Sequence, residues 1–98
     1  MDVYFVLNDV TFVWNGEKAR INPFNHKGVT FQQAAEAFFD PFLVVVDASR
    51  NDEEREAVIG LDRRWNLLYV VYIERRNDII RIISARKATR EEREFYEH

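Results

Sequence analysis

The groups in this chain best suited to chemistry are guanidiniums. Two apolar runs, Leu67–Ile73 and Ile79–Ala85, carry Glu74, Arg75, Arg76, Arg81 and Arg86 on either side of Asn77-Asp78. The planar fork of an arginine donates two parallel hydrogen bonds to a phosphate and keeps its charge at any relevant pH. Residues 74 to 93 hold seven Arg and Lys against four Asp and Glu, a local balance of +3, whereas residues 32 to 56 hold seven acids against Arg50 and Arg55, a balance of −5. A basic patch attracts polyanions even where the whole chain carries −3. A solvated surface laced with ion pairs accounts for the same charges equally well. The second feature is the polar stretch Asn22–Gly28, which carries His26 and Lys27 side by side.

The arginines depend on a hairpin for their placement. Both runs are rich in β-branched and aromatic residues, and a two-residue turn at Asn77-Asp78 sets Arg76 against Ile79, Glu74 against Arg81 and Ile73 against Ile82. Residues directly opposite share a face, so Glu74 and Arg81 are expected to pair, while Tyr69, Arg75, Ser84 and Arg86 face the other way. A bulge or strand end near Ser84 is needed to gather Arg81 and Arg86 into one site.

The remaining elements are read from pattern and punctuation. Val3–Leu7 and Val10–Trp14 read as an opening strand or hairpin around Asn8-Asp9. Asn15 caps a short helix over Glu17–Ile21 that Pro23 should end or distort, leaving Asn22–Gly28 as a loop. Thr30-Phe31-Gln32-Gln33 is a capping box, and Phe31, Ala34, Ala35 and Phe38 form the apolar stripe of the helix it starts, which Asp40-Pro41 stops. Phe42–Val46 and Arg55–Gly60 read as strands around an acidic loop, and Thr89-Arg90-Glu91-Glu92 caps a short last helix with Phe95 and Tyr96 as its anchors. The expected architecture is α+β: an N-terminal strand, two helices, a mostly antiparallel sheet and a short C-terminal helix.

Composition bounds the rest. Residues 1–98 make one domain of ordinary size, and 47% hydrophobic residues suffice for one core. The absence of cysteine excludes disulfides and thiolate metal sites, and two histidines make a metal site improbable. No apolar run approaches the ~20 residues that span a bilayer, so the expected compartment is the cytoplasm, with no membrane partner. Trp14 and Trp65 are expected to pack in the core or at its rim, with base stacking as the rival use.

Several blocks carry a resemblance over nearly the whole chain. Phe12-Val13-Trp14-Asn15, Asn22, His26-Lys27-Gly28-Val29-Thr30-Phe31-Gln32-Gln33-Ala34, Phe39-Asp40-Pro41, Gly60, Glu74-Arg75 and Ile80-Arg81-Ile82-Ile83-Ser84-Ala85-Arg86-Lys87-Ala88-Thr89-Arg90-Glu91-Glu92-Arg93 resemble the BrnT toxin family. The chain departs from the family's pattern at Asn25, where a lysine is usual, at Lys27, which looks inserted, at Asn15 for an aspartate, and at Gln32-Gln33 for two glutamates.

The resemblance implies a compact RelE-like domain and a type II toxin, an endoribonuclease that inhibits translation and forms a hetero-oligomer with a BrnA-like antitoxin that binds operator DNA. Cleavage of RNA by its own 2′-hydroxyl needs a base, cations for the charged phosphorane and an acid for the leaving oxygen, with no cofactor. The candidates are His26 and Lys27 in the loop and Glu74, Arg75, Arg81 and Arg86 on the hairpin, with His26 or Glu74 moving the proton. The alternative is a non-catalytic or degenerate module of the same fold that binds an antitoxin or RNA. In that case Arg86 is a surface ion-pair partner, His26 is held by backbone and Ser84 is a satisfied strand hydroxyl.

Overall fold

A computed structural model describes every residue from Met1 to His98. The chain forms β1 (Asp2–Leu7), β2 (Val10–Asn15), α1 (Gly16–Asn25), α2 (Phe31–Ala37), β3 (Val44–Asp47), β4 (Glu56–Leu61), β5 (Leu67–Glu74), β6 (Ile80–Lys87) and α3 (Arg90–Glu97). All six strands join one sheet in the order β1-β2-β6-β5-β4-β3. Neighbours are antiparallel except β2 and β6, which run parallel. The expected α+β layout is therefore present. The opening hairpin turns on Asn8 and Asp9 at φ 49° and 67°, left-handed values that Asn and Asp tolerate and that match the twist of paired strands.

The core lies between α2 and one face of the sheet. Phe31, Ala34, Ala35 and Ala37 of α2 are buried against Phe12, Trp14, Val58, Leu68, Val70, Tyr72, Ile82 and Ala85. Edge-on aromatic pairs, Trp14 with Phe31 and Phe38 with both Phe12 and Tyr72, fill the space between the layers. The helix starts at the capping box read from sequence, with the Gln33 amide donating to Thr30 Oγ1 and the Gln33 side chain accepting from the Thr30 amide. Close approach of β4 requires Gly60, since a Cβ there would stand 2.6 Å from the carbonyl oxygen of Ala37.

Four sequence expectations are corrected. The β5–β6 loop spans Arg76–Asp78 and closes with the Arg75 amide on the Ile79 carbonyl, so Ile73 faces Arg81 and Glu74 faces Ile80. Asn77 and Asp78 both take positive φ, which draws Arg76 into the loop. Because Val71 faces Ser84 while Tyr72 faces Ile82, Ile83 is an unpaired bulge, and the expected register survives only below it. Glu74 and Arg81 consequently lie on opposite faces and do not pair; Arg81 binds Asp2 of β1 instead.

The second correction concerns α1, which continues through Pro23 to Asn25. Asn22 is buried and its Nδ2 donates to the carbonyls of Val29 and Ala85, both at 2.9 Å, and this tertiary anchor overrides the local bias before proline. Third, Trp65 does not pack: it is 79% exposed at φ 68°, whereas Trp14 is 1% exposed. Asp62 fixes that turn by accepting from the Arg64 and Asn66 amides and the Gln33 and Asn66 side chains. Finally, Phe95 is exposed and does not anchor α3. The hydroxyl of Tyr96 does so, donating to Asp40 Oδ2 at 2.6 Å.

These anchors can be tested by substitution. Asn22→Ala should cost about 1–3 kcal/mol in denaturant unfolding, because two buried carbonyls lose their donor; unchanged stability would show that the amide does not clamp the fold. Burial and the Asp40 carboxylate push the Tyr96 hydroxyl up to about 12, and burial and Glu56 do the same to Tyr72. Each native value lies above the unfolded one near ~10, so their stabilisation is complete below that pH and is lost as pH rises towards 12. Tyr96→Phe should flatten the melting temperature against pH in that window relative to wild type, leaving the share of Tyr72.

Candidate active site

The bulge at Ile83 decides which side chains share a face. Without it, Arg81 and Arg86 would fall on opposite sides of β6. With it, Ile82 and Ala85 both stay in the core although three residues apart, and Arg81, Ser84 and Arg86 line up opposite Ile73, Val71 and Tyr69 on the face turned away from α2. The condition set by the sequence for bringing these arginines to one face is thus met one residue before Ser84.

Arg86 is held from three directions. Its fork makes two hydrogen bonds to Glu92 of α3, Nη1 to Oε1 at 2.7 Å and Nη2 to Oε2 at 2.8 Å. Its guanidinium carbon stands 4.2 Å from the ring centroid of Tyr69, within cation–π range. Nη1 also reaches the carbonyl of Lys87 at 3.2 Å. The bonds from Glu92 hold the Arg86 guanidinium above its ordinary pKa despite burial. Burial pushes the Glu92 carboxyl up, but the Arg86 and Thr89 bonds outweigh it and hold it below its ordinary value. Both groups are therefore ionised at neutral pH. Glu92 also accepts from the Thr89 amide as part of the capping box, so one carboxylate starts α3 and orients Arg86.

The loop after α1 comes to the same place. The His26 amide donates to Asn22 and the Gly28 amide to Pro23, closing the helix end. Lys27 and Gly28 then take φ 53° and 86°, left-handed values that reverse the chain. A cavity of about 320 Å³ results, lined by Asn25, His26, Lys27, Arg86, Lys87 and Ala88. His26 is half-buried there and Lys27 exposed. A phosphate entering would meet three cations and an imidazole and no carboxylate on the cavity wall.

Of the candidates named from sequence, this cavity brings together His26, Lys27 and Arg86 and leaves out Glu74, Arg75 and Arg81. Arg81 is at the other end of β6, in an ion pair with Asp2. Glu74 lines a separate acidic cavity with Asp47, Glu54, Arg55, Glu56 and Tyr72. Arg75 and Glu74 are exposed at the end of the hairpin. Sequence reasoning passes over three members of the arrangement: Asn25 and Lys87 on the wall, and Glu92 behind Arg86. Glu92 is legible only as a helix cap, and nothing local shows that its carboxylate also serves a strand residue six positions earlier. No three His, Asp or Glu side chains gather anywhere in the chain as a metal site.

None of the curated proteins matches this chain. A family model described as "Ribonuclease toxin, BrnT, of type II toxin-antitoxin system" matches residues 14–92, from the core tryptophan of β2 to the carboxylate that holds Arg86. That family implies an RNA target and an antitoxin partner. The chain belongs to the BrnT family of ribonuclease toxins of type II toxin–antitoxin systems.

Proposed function

We propose that residues 1–98 act as one RelE-like domain, an endoribonuclease that cleaves RNA by 2′-hydroxyl attack without metal and inhibits translation in the cytoplasm. Its partner on this reading is a BrnA-like antitoxin that binds operator DNA and holds the toxin inactive in a hetero-oligomer. The observation that carries the reading is the carboxylate-free cavity shared by His26, Lys27, Arg86 and Lys87. Arg86 and the two lysines take the role of stabilising charge on the phosphorane, and the pre-set guanidinium does so without reorganising at the moment of reaction. His26 moves the proton, either from the 2′-hydroxyl or to the leaving oxygen. Glu92 positions Arg86.

One observation favours a second reading. The fork of Arg86 is already filled by Glu92, so a phosphate must share that guanidinium or displace a carboxylate. A chain that binds RNA or antitoxin without cutting is the function in which this occupancy costs least.

Cleavage of RNA by the purified chain in EDTA separates the two. Arg86→Ala should lower the rate by about 10²–10³, the usual effect of removing a group that stabilises transition-state charge. Arg81→Ala, outside the cavity, should leave it within about threefold. Tight RNA binding by wild type with no turnover would establish the binder and end the enzyme reading. Expression in cells should keep the same order, with growth arrest from wild type and Arg81→Ala and tolerance of Arg86→Ala.

A further inference from the structure

Arg86 is a wall between two cavities. The second also measures about 320 Å³ and includes Ser49, Arg50, Arg55, Tyr69 and Ser84 in its lining; Arg86 is the one residue it shares with the His26 cavity. No Asp or Glu lines either of them. This is unexpected in a chain with seventeen acids. Three other cavities, of about 260, 410 and 560 Å³, each carry two or more: Asp40 and Asp62 in the first, Glu54 and Glu74 in the second, Glu36 and Asp62 in the third.

Arg50 and Arg55 come from the loop between β3 and β4, within the acidic stretch of residues 32 to 56. The fold pairs only Arg55 with one of those acids and leaves Arg50 outside every ion pair. Arg50 and Glu53 bridge through their backbones, Arg55 Nη2 binds Glu53 at 3.1 Å, and Ser49 exchanges hydrogen bonds with the Arg55 backbone. Both arginines thereby line the groove with Arg86. Arg50 is exposed and has no ion-pair partner, and Nε of Arg55 is a buried donor that nothing in the protein satisfies. The unpaired guanidinium of Arg50, in a groove without carboxylates, is a place for an anionic acceptor from outside the protein.

We infer that this groove is a second nucleotide subsite, into which single-stranded RNA continues across Arg86 from the linkage held at His26. The inference rests on the ribonuclease reading and extends it to substrate length. Arg50 and Arg55 hold the phosphate one linkage away from the one that breaks, and the hydroxyls of Ser49 and Ser84 offer donors to the same backbone. These interactions are with phosphate, so the subsite favours length over base identity. Arg86, fixed by Glu92 and Tyr69, then serves both linkages from one position.

The test compares a dinucleotide with a hexanucleotide, as cleavable RNA and as the 2′-deoxy form that cannot be cut. Wild type should bind the deoxy hexamer more tightly than the dimer. Arg50→Gln with Arg55→Gln should weaken hexamer binding about tenfold and lower the salt slope by about 0.7 for each phosphate that is no longer neutralised. Dimer cleavage should stay within about twofold, so that the loss appears as KM for the longer substrate. Arg50→Gln alone, at an exposed position, should show a smaller loss of the same kind with an unchanged melting temperature, which covers the case in which the double variant does not fold. Equal effects on both lengths, or none on either, would overturn the subsite. So would variants that bind RNA normally but lose affinity for an acidic antitoxin peptide, since the groove would then seat protein. If wild type cuts nothing yet binds the hexamer through Arg50, the enzyme reading falls and the subsite stands; if wild type cuts normally and the variants change nothing, only the subsite falls.

Discussion

The arrangement of this molecule depends on one buried amide. Asn22 donates from a single Nδ2 to the carbonyls of Val29 and Ala85, one on the far side of the His26 loop and one on β6 immediately before Arg86. A buried carbonyl without a donor costs about as much as the bond it lacks, so the Asn22 amide holds the loop against the strand rather than merely permitting their approach. The loop ends are tied down and its apex is left free. His26 and Lys27 therefore reach the cavity from a short, backbone-bonded turn of limited freedom, while the strand supplies Arg86 from a central position in the sheet. Sites built on such elements keep their geometry without help from the ligand.

A second constraint acts on the charge itself. Arg86 is surrounded by Glu92, the Tyr69 ring and the Lys87 carbonyl, a setting that fixes the guanidinium and lowers its effective charge together. This compromise is coherent if the remaining positive field comes from groups with no carboxylate partner. Lys27 and Lys87 are exposed and outside every ion pair in the chain, as is Arg50 in the adjoining groove. Orientation comes from the paired arginine and net charge from the unpaired cations.

Much of this is legible in the sequence, and the parts that are not share a cause. Capping boxes at Thr30 and Thr89, the α2 stripe and the strand pairs around Asn8-Asp9 are local patterns, and the fold keeps them as the residues suggest. The faces of β6 are different, because alternation assigns them only when the strand is regular. Ile82 and Ala85 cannot both be interior in an unbroken strand, and that conflict in the apolar pattern is the available signal for a bulge. Pro23 misleads for the opposite reason: a local rule loses to a hydrogen bond between Asn22 and a residue 63 positions away. The parallel pairing of β2 with β6 is equally non-local. Of the candidates read from sequence, His26, Lys27 and Arg86 line one cavity, whereas the distance of Arg81 from it and its pairing with Asp2 are not local features.

The resemblance read from sequence makes Lys27 look like an inserted residue, and the loop shows how such a residue is accommodated. An inserted residue at the end of a helix must be absorbed by added helix, a bulged turn or a displacement of the next element. Here the turn absorbs it: Lys27 and Gly28 adopt consecutive left-handed conformations, the Gly28 amide returns to Pro23, and α2 still begins at its cap. Residues on both sides of His26 consequently line one cavity, Asn25 where the pattern has lysine and Lys27 one position beyond His26. Asn25 and Lys27 thus line the same cavity, and the loop's amine there is that of Lys27. A left-handed lysine carries a backbone cost that glycine or asparagine would not, and the closed turn from Pro23 to Gly28 holds it there.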